Sequence, residues 1–325
     1  MLRRSLYTAW LALALLFGML WLRQMFETSA HGRGAPPAAA THSPERAGTV
    51  PAHIRVRNGE EILDCALEEY LVGVTAAEMP ADFEPEALKA QAVAARTYTL
   101  YCARTGRHAD ADVCTDFHCC QAWSSDETLR RNWGEAYADR LARIRAAVAA
   151  TEGEYLSFEG EAVFAAFHSS SPGFTEDCGA IWSGLPYLVS VSSPENAESV
   201  PGFISHTERT PLDFRDTLLS LHPEADFTGP PESWIGELAR DRSGRVSELI
   251  LGGVPFSGVK LRELFNLRST AFTLVYEDGM FRFTAAGFGH GVGMSQYGAN
   301  VMAAGGADYS AILAHYYPGT ELVRG

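Results

Sequence analysis

Lysine is almost missing from this 325-residue chain, occurring only at Lys89 and Lys260, and no basic run exceeds two residues. Nucleic-acid binding relies on clustered Lys and Arg to neutralise phosphates, so a formal net charge of −14 excludes a nucleic-acid partner. The acidic balance is the usual solubility device and carries no functional weight. No internal repeat is found, which excludes a stacked-repeat array. A Gly-x-Ser-x-Gly nucleophile elbow is lacking too, since Gly293-Met-Ser-Gln-Tyr-Gly298 has one residue too many. His168 followed by Ser169 to Ser171 is therefore not read as part of a hydrolase triad. The alternating glycines at 287, 289, 291 and 293 fail as a dinucleotide fingerprint, because Val292 holds the third position and no βαβ unit surrounds them. They are expected to let the backbone approach a ligand closely.

Cysteine is sparse but unevenly spread. Cys65, Cys102 and Cys178 stand alone, whereas Cys114, Cys119 and Cys120 share the stretch from His108 to Cys120 with His118. Such crowding favours a metal over a disulfide framework. Zinc takes four tetrahedral thiolate or imidazole ligands, and a short loop can fold all four onto one point. The alternative is a disulfide from Cys114 to Cys119 or Cys120 in an oxidising space. A closed four-ligand site is structural, so zinc would brace a wall of the active site rather than activate water.

At the start of the chain, Arg3 and Arg4 precede an apolar run from about Leu6 to Leu22 that ends at Arg23. That length just spans a bilayer, so residues 1–27 are read as a cytoplasmic start and single-pass anchor, with cleavage near Ser29-Ala30 as the alternative. The weak basic bias puts everything downstream outside the cytoplasm. Residues 28–50, with Pro36, Pro37 and Pro44, read as a tether. Residues 51–325 remain as the catalytic region, enough for one large domain or two packed lobes.

Patterning in that region mixes element types. Strands are expected at 53–56 and 61–65, helices over 85–102 and 133–149, and hairpins over 155–158/162–167, 246–251/254–256 and 272–276/280–284. Leu88, Ala92, Ala95, Thr99 and Cys102 form the expected buried stripe of the first helix. Helices and hairpins in separate runs give an α+β fold, here expected to surround a cleft.

Between 67 and 80, Glu78 is the one carboxylate inside a small or apolar run. Desolvation raises a carboxyl pKa, as a general acid near neutral pH requires. By itself the residue reads as helix-terminal or hydrogen-bonded. The motifs Glu69-Tyr-Leu-x-Gly-Val-x-Ala-x-Glu-Met-Pro80, Glu86-Ala-Leu-Lys-Ala-Gln-Ala-Val-Ala-Ala-Arg-Thr-Tyr98, Phe167-His-Ser-Ser-Ser171, Gly287-Phe-Gly-His-Gly-Val-Gly-Met-Ser-Gln-Tyr-Gly298 and His315-Tyr-Tyr-Pro-Gly-Thr320 reverse that balance. They closely resemble the stage II sporulation protein D family across essentially the whole region after the tether.

The resemblance implies a lytic transglycosylase that cleaves peptide-stripped peptidoglycan glycan strands, with Glu78 catalytic and 1,6-anhydro ends as product. It also implies zinc on His108, Cys114 and Cys120. Cys119 stands where relatives have a His, with His118 one position earlier; either could complete the site, and Cys119 keeps the register. Arg96 is expected to bind a sugar carboxylate or ether oxygen, or else to pair with Glu68 or Glu69. His168, Ser170, Ser295, Gln296 and Tyr297 are expected to line the cleft for sugar hydroxyls, although Ser295 also suits a helix N-cap. Trp123, Trp182 and Tyr187 suit either sugar stacking or the core. Partners implied are an amidase that removes stem peptides and a polytopic membrane protein, acting during engulfment at the mother-cell membrane. The competing readings are a non-catalytic wall-binding activator of an amidase and a zinc-braced scaffold.

Overall fold

The computed structural model describes residues 50–325, and the apolar residues of this stretch sort into two separate cores. The first lobe begins with β1 (His53–Asn58), β2 (Glu61–Ala66), α1 (Leu67–Glu78), α2 (Pro85–Thr105) and β3 (Val113–Cys114). It continues through α3 (Asp126–Trp133), α4 (Tyr137–Ala150), β4 (Glu154–Phe158), β5 (Glu161–Ala162) and β6 (Phe167–His168). A second lobe is then inserted: β7 (Ile204–Arg209), α5 (Pro211–Leu219), β8 (Ile235–Arg240), β9 (Val246–Leu251), β10 (Val254–Ser257), α6 (Gly258–Phe265), β11 (Phe272–Glu277) and β12 (Met280–Ala286). The chain returns to the first lobe with β13 (Met294–Ser295), α7 (Gln296–Ala304), α8 (Tyr309–Tyr316) and β14 (Glu321–Arg324). The fold is mixed α+β, built from small sheets rather than one large one: β2-β1-β3, β14-β4-β5, β13-β6, β10-β9-β8 and β11-β12-β7.

Helix α2 organises the first lobe. Pro85 opens it where no N–H is needed and Gly106, at φ 63°, closes it in the left-handed region. The expected stripe is buried, but so are most of the other faces. Alanine at 87, 90, 92, 94 and 95 lets α1, α4, α7, α8 and β4 approach from all sides. The second core is aromatic instead: Phe214 stacks on Phe281 at 3.9 Å, and Trp234 lies parallel to Phe281 at 5.5 Å.

Several expected boundaries shift. The helix expected over 133–149 starts later, at Tyr137, because Gly134 takes φ 52° after α3 and a 3₁₀ turn follows it. The hairpin expected over 155–158/162–167 keeps only Ser157–Ala162 and Phe158–Glu161 pairing. Beyond it Phe164 turns into an aromatic cluster with Tyr98, Tyr101 and Trp182, and Phe167–His168 pairs in parallel with β13. The two hairpins of the second lobe form over the expected strands and run one or two residues longer. The anchor expected at 1–27 lies outside the described residues, as does the tether up to 49. Among the described residues no helix is long and apolar enough to cross a membrane.

The glycine run ties the lobes together, and its role differs from the expected one. A Cβ on Gly293 would lie 1.9 Å from the Ala166 carbonyl, one on Gly291 2.5 Å from the Arg245 guanidinium, and one on Gly289 2.7 Å from the His168 Cβ, all at positive φ. The close approach is therefore to other parts of this chain; Gly289 alone of the four borders the cavity described next. Bridges from Ser170 to Phe288 and from Glu176 to Val292 run along this junction.

Candidate active site

Helix α1 ends at Glu78 because Pro80 forces Met79 into extended backbone, at φ −125° and ψ 136°. The carboxyl is thereby delivered to a cavity of about 410 Å³ whose walls include Glu78, Tyr98, Gln121, His168, Trp182, Arg262, His290 and Gln296. That size suits a small-molecule or short-oligomer site. Burial pushes the Glu78 carboxyl up to about 7, against the opposing effect of a 2.6 Å hydrogen bond that Oε1 accepts from the Ala122 N–H. Its place at a helix C-terminus with no basic residue in the last turn also disfavours the carboxylate. Glu78 is thus helix-terminal and hydrogen-bonded as its local sequence suggests, and it still faces the cavity. Among the described residues, the cavity wall contains no other Asp or Glu.

The loop after α2 supplies both Ala122 and the sulfur group. Cys114 is fixed on β3 by parallel pairing to β1, and the N–H groups of Cys119 and Cys120 close a turn on the Asp116 carbonyl at 3.0 and 2.7 Å. Gln121 then anchors the chain to α2 by donating to the Ala95 carbonyl and the Thr99 hydroxyl. Gly73 lets the following segment pack on α1: a Cβ there would strike Trp123 Nε1 at 2.3 Å.

One ligand atom from each of His108, Cys114, Cys119 and Cys120 lies within 4.8 Å of all the others. His108 Nε2 is 3.3 Å from Cys120 Sγ and 3.7 Å from Cys119 Sγ, and the Cys119 and Cys120 sulfurs are 4.0 Å apart. Tetrahedral zinc with Zn–S of ~2.3 Å and Zn–N of ~2.0 Å places its donors about 3.5–3.8 Å apart, so this donor set fits zinc. All of these cysteines are free in the structure. Hydrogen bonds from Cys114 and Cys120, with Arg107 beside them, hold the Cys119 thiol far below the usual range. His118 stands outside the group, exposed and hydrogen-bonded to Asp116.

His168 resembles half of a catalytic pair without the access one needs. Its Nδ1 lies 3.2 Å from the Val292 carbonyl, which places the proton there, so Nε2 accepts from the Ser171 hydroxyl at 2.6 Å. Burial, with Arg245 nearby, pushes its pKa down to about 3. Ser171 is fully buried; its hydroxyl also receives Arg245 Nη2, and its N–H donates to Glu195. Among the described residues no carboxylate bonds the imidazole, whose nitrogens are taken by Val292 and Ser171, so the group is scaffold.

Of the expected site residues, Glu78, His168, Gln296, Cys119 and Cys120 border the cavity together. Arg96 does not. It is fully buried and forms a two-pronged bond with Glu68, with a further bond to the Glu154 carbonyl, so the ion-pair alternative describes it and the sugar-binding one does not. Ser295 caps α7 through the Gly298 N–H and donates to Glu195. Ser170 is buried in the Phe288 bridge, and Tyr297 packs on Phe83 at 4.9 Å. These three are therefore corrected from cleft lining to support. Tyr187 belongs to the core, Trp123 lies over Gly73, and only Trp182 borders the cavity.

The cavity adds residues the sequence reading passed over. Tyr98 and Gln121 were within reach, since Tyr98 ends a quoted motif and Gln121 directly follows Cys120. His290 lies inside the glycine motif and packs on Trp182 at 5.1 Å. Arg262 comes from α6 of the inserted lobe and had no local signal; its Nε donates to the Arg268 carbonyl. Glu195, receiving Ser171, Ser193 and Ser295, was also invisible.

The fold and site define a two-core α+β cleft protein with one carboxyl, Glu78, held near neutrality in its cavity and a sulfur-rich group in the adjoining loop. The profile of a family described as "Stage II sporulation protein" matches residues 57–158. Stage II sporulation protein D of Bacillus amyloliquefaciens is 38% identical over 79% of this chain and 74% of its own length. The protein of that name in Bacillus subtilis (strain 168) is 36% identical over 81% and 76%. The "Amidase enhancer" of Bacillus subtilis (strain 168) is 28% identical over 78% of this chain and 40% of that protein. The chain belongs to the stage II sporulation protein D family.

Proposed function

We propose that this protein is a peptidoglycan lytic transglycosylase acting on peptide-stripped glycan strands. The observation that carries the reading is a cavity with one carboxyl, Glu78, raised to about 7 and no second acid among its described wall residues. Glycoside hydrolysis ordinarily uses two carboxylates separated by roughly 5–9.5 Å, and one is enough for an intramolecular reaction. Protonated Glu78 gives its proton to the oxygen joining N-acetylmuramic acid to N-acetylglucosamine as the C1–O bond breaks. The resulting carboxylate takes the proton from the muramoyl C6 hydroxyl, whose oxygen closes on C1. A 1,6-anhydro end forms, water is not consumed, and Glu78 returns to its starting state.

In this reading the Ala122 N–H orients the carboxyl and stabilises it while ionised. His108, Cys114, Cys119 and Cys120 would hold zinc, which supplies a structural crosslink beside the acid. Membrane attachment through residues 1–27, action during engulfment, an amidase that strips the peptides first and a polytopic membrane partner complete the proposal.

Similarity to the amidase enhancer favours one second reading, a wall-binding activator of an amidase that needs the cleft but not Glu78. Mass spectrometry of products from peptide-free strands separates the two. Anhydromuramoyl ends made by wild type and not by Glu78→Gln support the transglycosylase; strands left intact by wild type support the activator.

A further inference from the structure

Of the large apolar side chains exposed among the described residues, two phenylalanines stand at the site. Phe117 is 66% exposed and Phe288 48% exposed, and both border the cavity that holds Glu78. Neither side chain hangs loosely from its backbone. Phe288 exchanges two backbone hydrogen bonds with Ser170, at 2.9 and 3.0 Å. Its neighbours Gly287 and Gly289 adopt φ 77° and 118°, and a Cβ on either would collide with residues 168–170 at 2.7 Å. The Arg268 guanidinium backs the ring at 5.2 Å. Phe117 sits in the turn closed on Asp116, whose side chain also accepts from the His118 N–H at 2.8 Å. The His118 ring backs Phe117 at 3.9 Å.

We propose that Phe117 and Phe288 are sugar-stacking platforms that seat a glycan strand across Glu78, an assignment that rests on the glycan reading above. A pyranose ring with equatorial substituents presents C–H groups on its faces and hydroxyls at its rim. Faces of that kind cover an exposed phenyl ring and bury apolar area, while the rim stays within reach of polar groups. The cavity supplies both chemistries, since Arg262 and Gln296 share its wall with the two phenyls. One platform rides on the sulfur-rich loop and the other on the glycine run between the lobes, so a strand lying on both would touch the two structures that frame the acid.

The test is calorimetric titration of the full-length Glu78→Gln protein with peptide-free glycan strands. Phe117→Ala and Phe288→Ala, each added to that background, are expected to weaken binding about five- to tenfold, and tyrosine at either position to restore it to within about twofold. Phe174→Ala removes a phenyl that is 51% exposed outside the cavity and is expected to change nothing. Unaltered affinity in both alanine variants overturns the platforms while leaving the glycan reading intact. No binding by the Glu78→Gln parent overturns both. A fall in melting temperature that accounts for the lost binding would assign the rings to folding and also overturn the proposal.

Discussion

The backbone N–H of Ala122 donates a 2.6 Å hydrogen bond to Glu78 Oε1, and Ala122 lies two residues beyond Cys120 of the sulfur-rich group. Burial pushes the carboxyl toward its protonated form and this bond pulls it back, leaving it at about 7. Whatever fixes the loop therefore fixes the acid.

Cleavage should fall as pH rises through about 7, because the reaction begins with protonated Glu78. The same shift bears on stability. The folded pKa lies above the ordinary carboxyl value of 4.5, so the favourable contribution of Glu78 is fully present below pH 4.5 and lost as pH rises through 7. Glu78→Gln should then stabilise the protein at pH 8 by about 3 kcal/mol and have little effect at pH 4. Thermal unfolding of the two proteins at both pH values checks the sign.

Elemental analysis of purified protein should find one zinc per chain. Cys119→Ser should lower zinc affinity by more than about tenfold, while His118→Ala leaves it unchanged because His118 stands outside the group. Chelation should also release the Ala122 N–H and reduce glycan cleavage. Zinc retained by Cys119→Ser and lost from His118→Ala would reverse the ligand assignment.

Ser171→Ala should destabilise the fold by about 1–3 kcal/mol, since it strips a buried partner from His168 and Arg245. It should cause nothing like the ~10⁶-fold loss that follows removal of a serine nucleophile. Urea denaturation together with cleavage rates per folded molecule distinguishes scaffold from nucleophile.

Gly293→Ala should destabilise by about 3 kcal/mol or more, because the added Cβ meets the Ala166 carbonyl at 1.9 Å and the residue must also hold φ 72°. Gly253→Ala has a similar φ of 78° but open space around it, and should lose only about 1 kcal/mol. Equal losses in the two variants would mean that backbone conformation, not the lobe junction, sets the need for glycine at 293.

Local chemistry was legible wherever a feature depends on neighbours in the chain. Pro85 marks the start of α2, alternation sets both hairpins of the second lobe, and crowding of Cys114, Cys119 and Cys120 with His108 brings four donors together. The apolar surroundings of Glu78 already required a raised pKa, because desolvation of a carboxylate is unfavourable wherever its own segment is apolar. Contacts between distant segments were not legible, because no local pattern records which groups meet. Arg96 could be assigned to Glu68 only once α1 lay against α2. The glycines at 289, 291 and 293 proved to admit His168, Arg245 and Ala166 rather than a ligand. Arg262 reached the cavity from an inserted lobe with its own aromatic core. Periodicity, caps and ligand spacing act within a few residues and belong to the sequence alone; the second wall of the cleft and the partners of its buried charges exist only after two cores have formed and met.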